Sequence, residues 1–203
     1  MRDTFSIIFL LAFVSFTCSN KQNSAATLFD VDSLTSAQIK YLTIHRAELN
    51  KTSSLGDSSG SVSFMPKDTS AWKSELEIFK VLNLVNKPIN RNSYTIEIQP
   101  DTKSNLSIRT FGIKTSLPED EKKNLPIEYL KIYYHNTVNK IRRIEGQYKE
   151  LGFMNKTAQV LMMEFQPVND TMILTSYSIT GGQKMFMGDS VQYKINSSVT
   201  LTK

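Results

Sequence analysis

The sequence predicts an α+β fold: two N-terminal helices followed by an antiparallel, curved sheet of six to eight strands, built as a half-barrel or open barrel. Three observations predict it. Two amphipathic helical segments precede Pro88. From Arg91 onward the apolar period changes to two. Short segments rich in Asn, Gly and Asp then separate the strand-like runs, and strands joined by tight turns are antiparallel.

Length and composition set the frame. Of 203 residues, eleven are Phe, eight Tyr and one Trp, so there is ample apolar surface for one core once an N-terminal segment is set aside. The formal net charge is +5, from 24 basic and 19 acidic residues interspersed along the chain. The tightest basic group is Asn139 to Arg143, "NKIRR". A nucleic-acid binder concentrates its cations on one element or face, so no nucleic-acid partner is expected.

The first helix is expected from about Ser36 to Asn50, with Leu34, Tyr41, Leu42, His45 and Leu49 near a 3–4 spacing and Ser33 or Thr35 as the cap. The Ser- and Gly-rich stretch from Lys51 to Ser70 reads as a loop. A second helix is expected from about Thr69 to Val85. Trp72, Leu76, Phe79 and Leu82 share one face of it, Asp68 caps it and Pro88 stops it.

In Tyr94 to Gln99 apolar and polar residues alternate strictly, the pattern of a half-buried strand. Further strands are read at about 105–115, 128–135, 158–166, 172–180 and 190–196. Residues 139–151 fit either a helix or a strand; Gly146 and the strands on both sides favour strand. "TGGQK", Thr180 to Lys184, reads as a turn, and Glu119 to Glu121 as part of a solvated loop.

The N-terminus carries the clearest signal of location. Phe5 to Phe16 is an apolar run of twelve residues, whereas a helix needs roughly 20 to span a bilayer, so residues 1–17 read as a signal peptide. Signal-peptidase cleavage, an uncleaved anchor and lipidation at Cys18 are the three outcomes such a segment allows. Cys18 is the only cysteine, which leaves it no disulfide, zinc or CxxC partner.

The apolar run ending at "TCSN" resembles the lipobox of bacterial lipoproteins, in the Phe/Leu-rich style common in Bacteroidota. Ser15, Phe16 and Thr17 stand where the most familiar lipobox has leucine, a small or branched residue and a small residue. The resemblance covers about twenty residues and implies acyl chains on Cys18, a place in the cell envelope and, from Ser19 after the cysteine, the outer membrane. Residues 18–32 then form the lipidated cysteine and a flexible tether, and residues 33–203 a single domain.

No catalytic constellation is recognisable. There is no GxSxG, HExxH, Walker or GxGxxG pattern, and the histidines are two, His45 and His135. "DVD", Asp30 and Asp32, lacks the Gly and terminal Glu of a calcium loop. No metal, cofactor or catalytic residue is therefore assigned. Methionines crowd the C-terminal third, and flexible thioethers suit an adaptable apolar groove; Met162, Tyr177, Met185 and Met187 are the candidate lining of a ligand site. The sequence thus predicts an anchored, non-catalytic module that binds an apolar ligand or an envelope protein. A hydrolase or transferase with an unrecognised site, and a structural subunit of an envelope complex, are the alternatives.

Overall fold

The computed structural model describes residues 29–152, 155–185 and 190–201. The signal peptide, Cys18 and most of the expected tether lie outside the described residues. Helix α1 (Val31–Ile44) is followed by a hairpin, β1 (Glu48–Leu55) and β2 (Ser58–Phe64). Then come α2 (Thr69–Leu76), a 3₁₀ segment (Glu77–Asn86) and the single turn α3 (Pro88–Arg91). Strands β3 (Tyr94–Pro100) and β4 (Ser107–Ile113), the short α4 (Glu119–Asn124), and β5 (Ile127–Tyr134), β6 (Ile141–Leu151), β7 (Asn155–Val168), β8 (Thr171–Met185) and β9 (Ser190–Thr200) complete the order.

All nine strands form one sheet in the order β2-β1-β9-β8-β7-β6-β5-β4-β3, and every neighbouring pair is antiparallel. From β3 to β9 the chain moves one strand at a time, and β9 then returns to pair with β1. The last strand thus attaches the early hairpin to the sheet.

This overturns the plan of two helices followed by six to eight strands. Residues Glu48–Phe64, expected as the end of a helix and a loop, are a hairpin that comes before the second helix, and the strands among the described residues number nine. The physical reason lies in burial. Strand β2 is exposed at every residue from Ser58 to Ser63, so nothing selects the alternation that marks a half-buried strand. Two smaller expectations also change: Gly181 and Gly182 lie inside β8 rather than in a turn, and the acidic loop forms α4.

Local chemistry explains the helices. Asp30, not Ser33 or Thr35, caps α1: its Oδ1 accepts from the Ser33 N–H at 3.1 Å and its Oδ2 from the Ser33 hydroxyl at 2.5 Å. Those bonds hold the Asp30 carboxyl below its ordinary range. Asp68 caps α2 in the same way, its Oδ1 accepting from the Ala71 N–H at 2.9 Å. After Leu76 the buried residues Phe79, Leu82 and Val85 recur every third position, and a 3₁₀ helix is the form that sets such residues in one line.

The core lies between this helical layer and one face of the sheet, where Trp72, Leu76, Phe79 and Leu82 are fully buried against residues such as Leu130, Ile144 and Leu161. Residues 139–151 contribute strand β6, and Gly146 is its contact point with the helical layer. A Cβ there would stand 2.5 Å from Leu82 Cδ2; the missing side chain is the seat of Leu82.

Between Glu164 and Phe165 the β7–β8 register shifts by one residue, leaving Thr175 as a bulge. Gln38 of α1, 5 % exposed, completes the interrupted ladder: its Nε2 donates to the Met172 carbonyl at 3.0 Å, and its Oε1 accepts from the Leu174 N–H at 2.8 Å. A buried glutamine thus fixes α1 on the sheet with both ends of its amide satisfied. At the end of this hairpin Asn169 and Asp170 both have positive φ, the conformation a two-residue hairpin loop requires and these residue types tolerate.

Candidate interaction surface

The helical layer ends over a cluster of four polar side chains. Lys51 of β1 and Tyr177 of β8 both lie opposite Ser197 of β9, so the three stand in a row on the core face. Glu75 reaches down to them from α2. Its Oε2 accepts from the Tyr177 hydroxyl at 2.6 Å and from Lys51 Nζ at 2.8 Å. Burial, and then the hydrogen bond to the Glu75 carboxylate, push the Tyr177 phenol far above its ordinary range.

A lysine, a carboxylate, a phenol and a serine hydroxyl are groups that could move protons in an open cleft. Here Tyr177 is 2 % exposed, Phe79 meets its ring edge-on at 5.6 Å, and the charges of Lys51 and Glu75 are spent on each other. The cluster pins the end of α2 to the sheet and closes the core.

Past this pin the sheet continues uncovered as a wing made of β1, β2 and β9. Alternation places Leu55, Val62, Tyr193 and Ile195 on the continuation of the core face. Leu55 is 59 % exposed, Val62 51 % and Val191 43 %, while Tyr193 and Ile195 are half-buried. Leu55, Gly60, Tyr193 and Ile195 help line a shallow groove of about 380 Å³. Tyr193 lies over Gly181, where a Cβ would come within 2.7 Å of its hydroxyl. The glycine that reads as a turn residue is therefore the bed of an aromatic ring.

The opposite face of the wing is a field of hydroxyls and amides: Asn50, Thr52, Ser61, Ser63, Asn196 and Ser198 line a second shallow groove of about 410 Å³. The free edge is β2, "SSGSVSF", with no charge and no proline; among the described residues no strand pairs with its outer side. The other edge, β3, differs: it carries Glu97 and ends at Pro100, both of which hinder strand addition.

The chain matches no family model and no curated protein. Among the described residues no helix is long and apolar enough to cross a membrane, and no three His, Cys, Asp or Glu side chains form a metal-ligand group.

The residues singled out from sequence are dispersed. Met162 lies opposite Glu145 and Ser178, on the face away from the helices, whereas Tyr177 is buried on the core face. Met185 is the last residue of β8 and pairs with Asn155, and Met187 lies outside the described residues. Met162 and Tyr177 do not line one pocket. His45 follows α1 and stacks on Tyr41, with ring centroids 3.9 Å apart and its Nδ1 2.8 Å from the Tyr41 carbonyl oxygen. His135 stands at the β5–β6 connection, where its backbone N–H donates to the Lys140 carbonyl. In the basic "NKIRR", Arg143 pairs with Glu164 at 3.0 Å and lies over the Tyr133 ring.

Sequence reasoning missed the wing, although one signal was present. Gly56–Asp57 is a two-residue link between runs rich in Ser, Thr and Val, which is a hairpin signature. Gly56 has a φ of 56° and donates its N–H to the Gln192 carbonyl at 3.0 Å, tying the turn to β9.

Proposed function

We propose that the chain is an envelope lipoprotein, held to the membrane by acyl chains on Cys18, and that its domain is a non-catalytic interaction module for a partner protein. The supporting observation is that the core face is filled by the helical layer, with Trp72, Leu76, Phe79 and Leu82 fully buried, while the same sheet extends past that layer as the uncovered wing. A receptor for an apolar molecule keeps an enclosed, apolar cavity; here the grooves of the wing are shallow and open. What the wing offers is an extended surface with exposed Leu55 and Val62 and a free strand edge, the geometry of protein contact. The expected anchor agrees with this: each buried methylene contributes about 0.8 kcal/mol, so two acyl chains suffice to hold a domain at a membrane.

Two measurements on the full-length chain in cells test it. Labelled palmitate is incorporated by the wild type and not by Cys18→Ala; equal label in both removes the anchor. A photo-crosslinking residue at Val62 gives a discrete adduct absent when the same residue replaces Ile89, which is 85 % exposed on α3. The same pattern at both positions, or no adduct at Val62, removes the interaction module.

A further inference from the structure

We infer that β2 is a self-pairing edge: two copies of this chain join antiparallel through Ser58–Phe64 and make one continuous sheet. The inference rests on the interaction-module reading and names its partner as a second copy. It begins from the contrast between the two edges. Natural sheets guard an exposed edge with charge, proline or a bulge; β3 carries Glu97 and Pro100, whereas β2 carries none of these over seven residues and pairs with β1 without a register shift.

The sequence of β2 is complementary to itself. An antiparallel pair centred on Ser61 sets Val62 opposite Gly60 of the second copy and Phe64 opposite Ser58 of the second copy. Those four positions lie on the core-side face, since Val62 pairs with Lys51 and Phe64 with Leu49 within the chain. Each large side chain thus faces a small one. On the other face only serines meet: Ser61 its own copy, and Ser59 opposite Ser63 of the second copy.

Charge fits as well: Asp57 precedes β2 and Lys67 follows it, so an antiparallel pair brings the Asp57 end of each copy toward the Lys67 end of the other. Neither Asp57 nor Lys67 has an ion-pair partner among the described residues. Val62 is 51 % exposed in the single chain and becomes covered in the pair. One strand pairing is small beside a standard interface of about 1,600 Å², so the dimer is reversible and depends on concentration.

The two-fold position of Ser61 supplies the test. Ser61→Lys sets two ammonium groups face to face in the dimer, and Ser61→Glu two carboxylates; mixing the variants sets Lys against Glu. The full-length chain in mild detergent, followed by sedimentation velocity, is expected to show a wild-type monomer–dimer equilibrium. Each variant alone should weaken it about tenfold or more, and the equimolar mixture should restore it. Ser61 is exposed, so each variant should melt with the wild type, which separates lost pairing from lost folding. A wild type that stays monomeric, a dimer indifferent to Ser61→Lys, or a mixture no tighter than its components would overturn self-pairing. In the photo-crosslinking experiment at Val62, an adduct of twice the chain mass agrees with it. An adduct of any other mass refutes self-pairing and leaves the interaction module standing.

Discussion

A methyl group added at Gly146 would stand 2.5 Å from Leu82 Cδ2 and 3.2 Å from the Tyr129 carbonyl oxygen. Carbon atoms prefer about 3.5–4.0 Å, so roughly 1 Å of overlap has to be absorbed. Leu82 is fully buried and cannot swing into solvent, and the oxygen behind the new methyl belongs to the backbone of the neighbouring strand. Over-packing of this kind costs about 1–3 kcal/mol. With both sides blocked we expect Gly146→Ala to destabilise by about 2 kcal/mol, a fall in Tm of roughly 4–8 °C for a domain of this size. Gly60→Ala is the control, because a Cβ there meets nothing within 4 Å; its effect should stay within about 0.5 kcal/mol. The decisive comparison is a double-mutant cycle in urea. Leu82→Ala alone should cost about 2–5 kcal/mol, and in that background Gly146→Ala should cost almost nothing, a coupling of at least about 1 kcal/mol. If Gly146→Ala is equally costly with and without Leu82, the close packing of the 3₁₀ segment on β6 is not what the glycine serves.

Three further outcomes follow from the polar contacts. Gln38→Leu leaves the Leu174 N–H and the Met172 carbonyl at the bulge without their partner; a loss of about 2–3 kcal/mol is expected, with faster amide exchange at Leu174, and unchanged exchange would refute the bracing role. Lys51→Met leaves the half-buried Glu75 carboxylate with Tyr177 alone and should cost about 2 kcal/mol, between a surface ion pair and a fully buried one; a neutral result in urea would mean that the pin over the wing is unimportant. Burial pushes the phenol of Tyr94, which donates to the Ile127 carbonyl, up to about 12. A raised folded pKa means that its share of stability, on the order of 2–3 kcal/mol, is complete below pH ~10 and lost as pH rises through ~12. Tyr94→Phe should flatten the alkaline arm of a stability–pH curve over that window.

What the sequence discloses here is local, and what it hides depends on register. Tyr94, Ile96 and Ile98 alternate as plainly as any strand, yet Ile98 is 59 % exposed, because alternation records which face a residue takes and not whether anything covers that face. Gly181 and Gly182 look like a turn because two glycines usually are one; only the Tyr193 ring, brought alongside by the β8–β9 register, makes Gly181 a strand residue. Glu75 was visible as one of several carboxylates, but its partners lie 24 residues before it in Lys51 and 102 after it in Tyr177. Met162 and Tyr177 take opposite faces of the sheet for the same reason. Met162 and Tyr177 stand on adjacent strands with opposite parity, and parity between strands is set by the β7–β8 hairpin and its bulge at Thr175, neither of which a one-dimensional pattern displays.

The wing unites these observations. Strands of fifteen residues in β8 and eleven in β9 reach beyond the helices, and at the boundary the core changes from Trp72, Leu76 and Phe79 to the Lys51–Glu75–Tyr177 pin. A sheet that merely needed to end there could do so at the pin, and a hairpin that buries little beyond Leu49 and part of Phe64 contributes little to stability past that point while its edge invites association. The chain instead holds the hairpin in place with a full ladder from Glu48 to Leu55 against β9 and a turn tied to Gln192, and leaves β2 without the charge and proline that guard β3. Order with little burial in β2, together with an edge left unguarded on one side only, is the pair of features on which the proposed self-pairing rests.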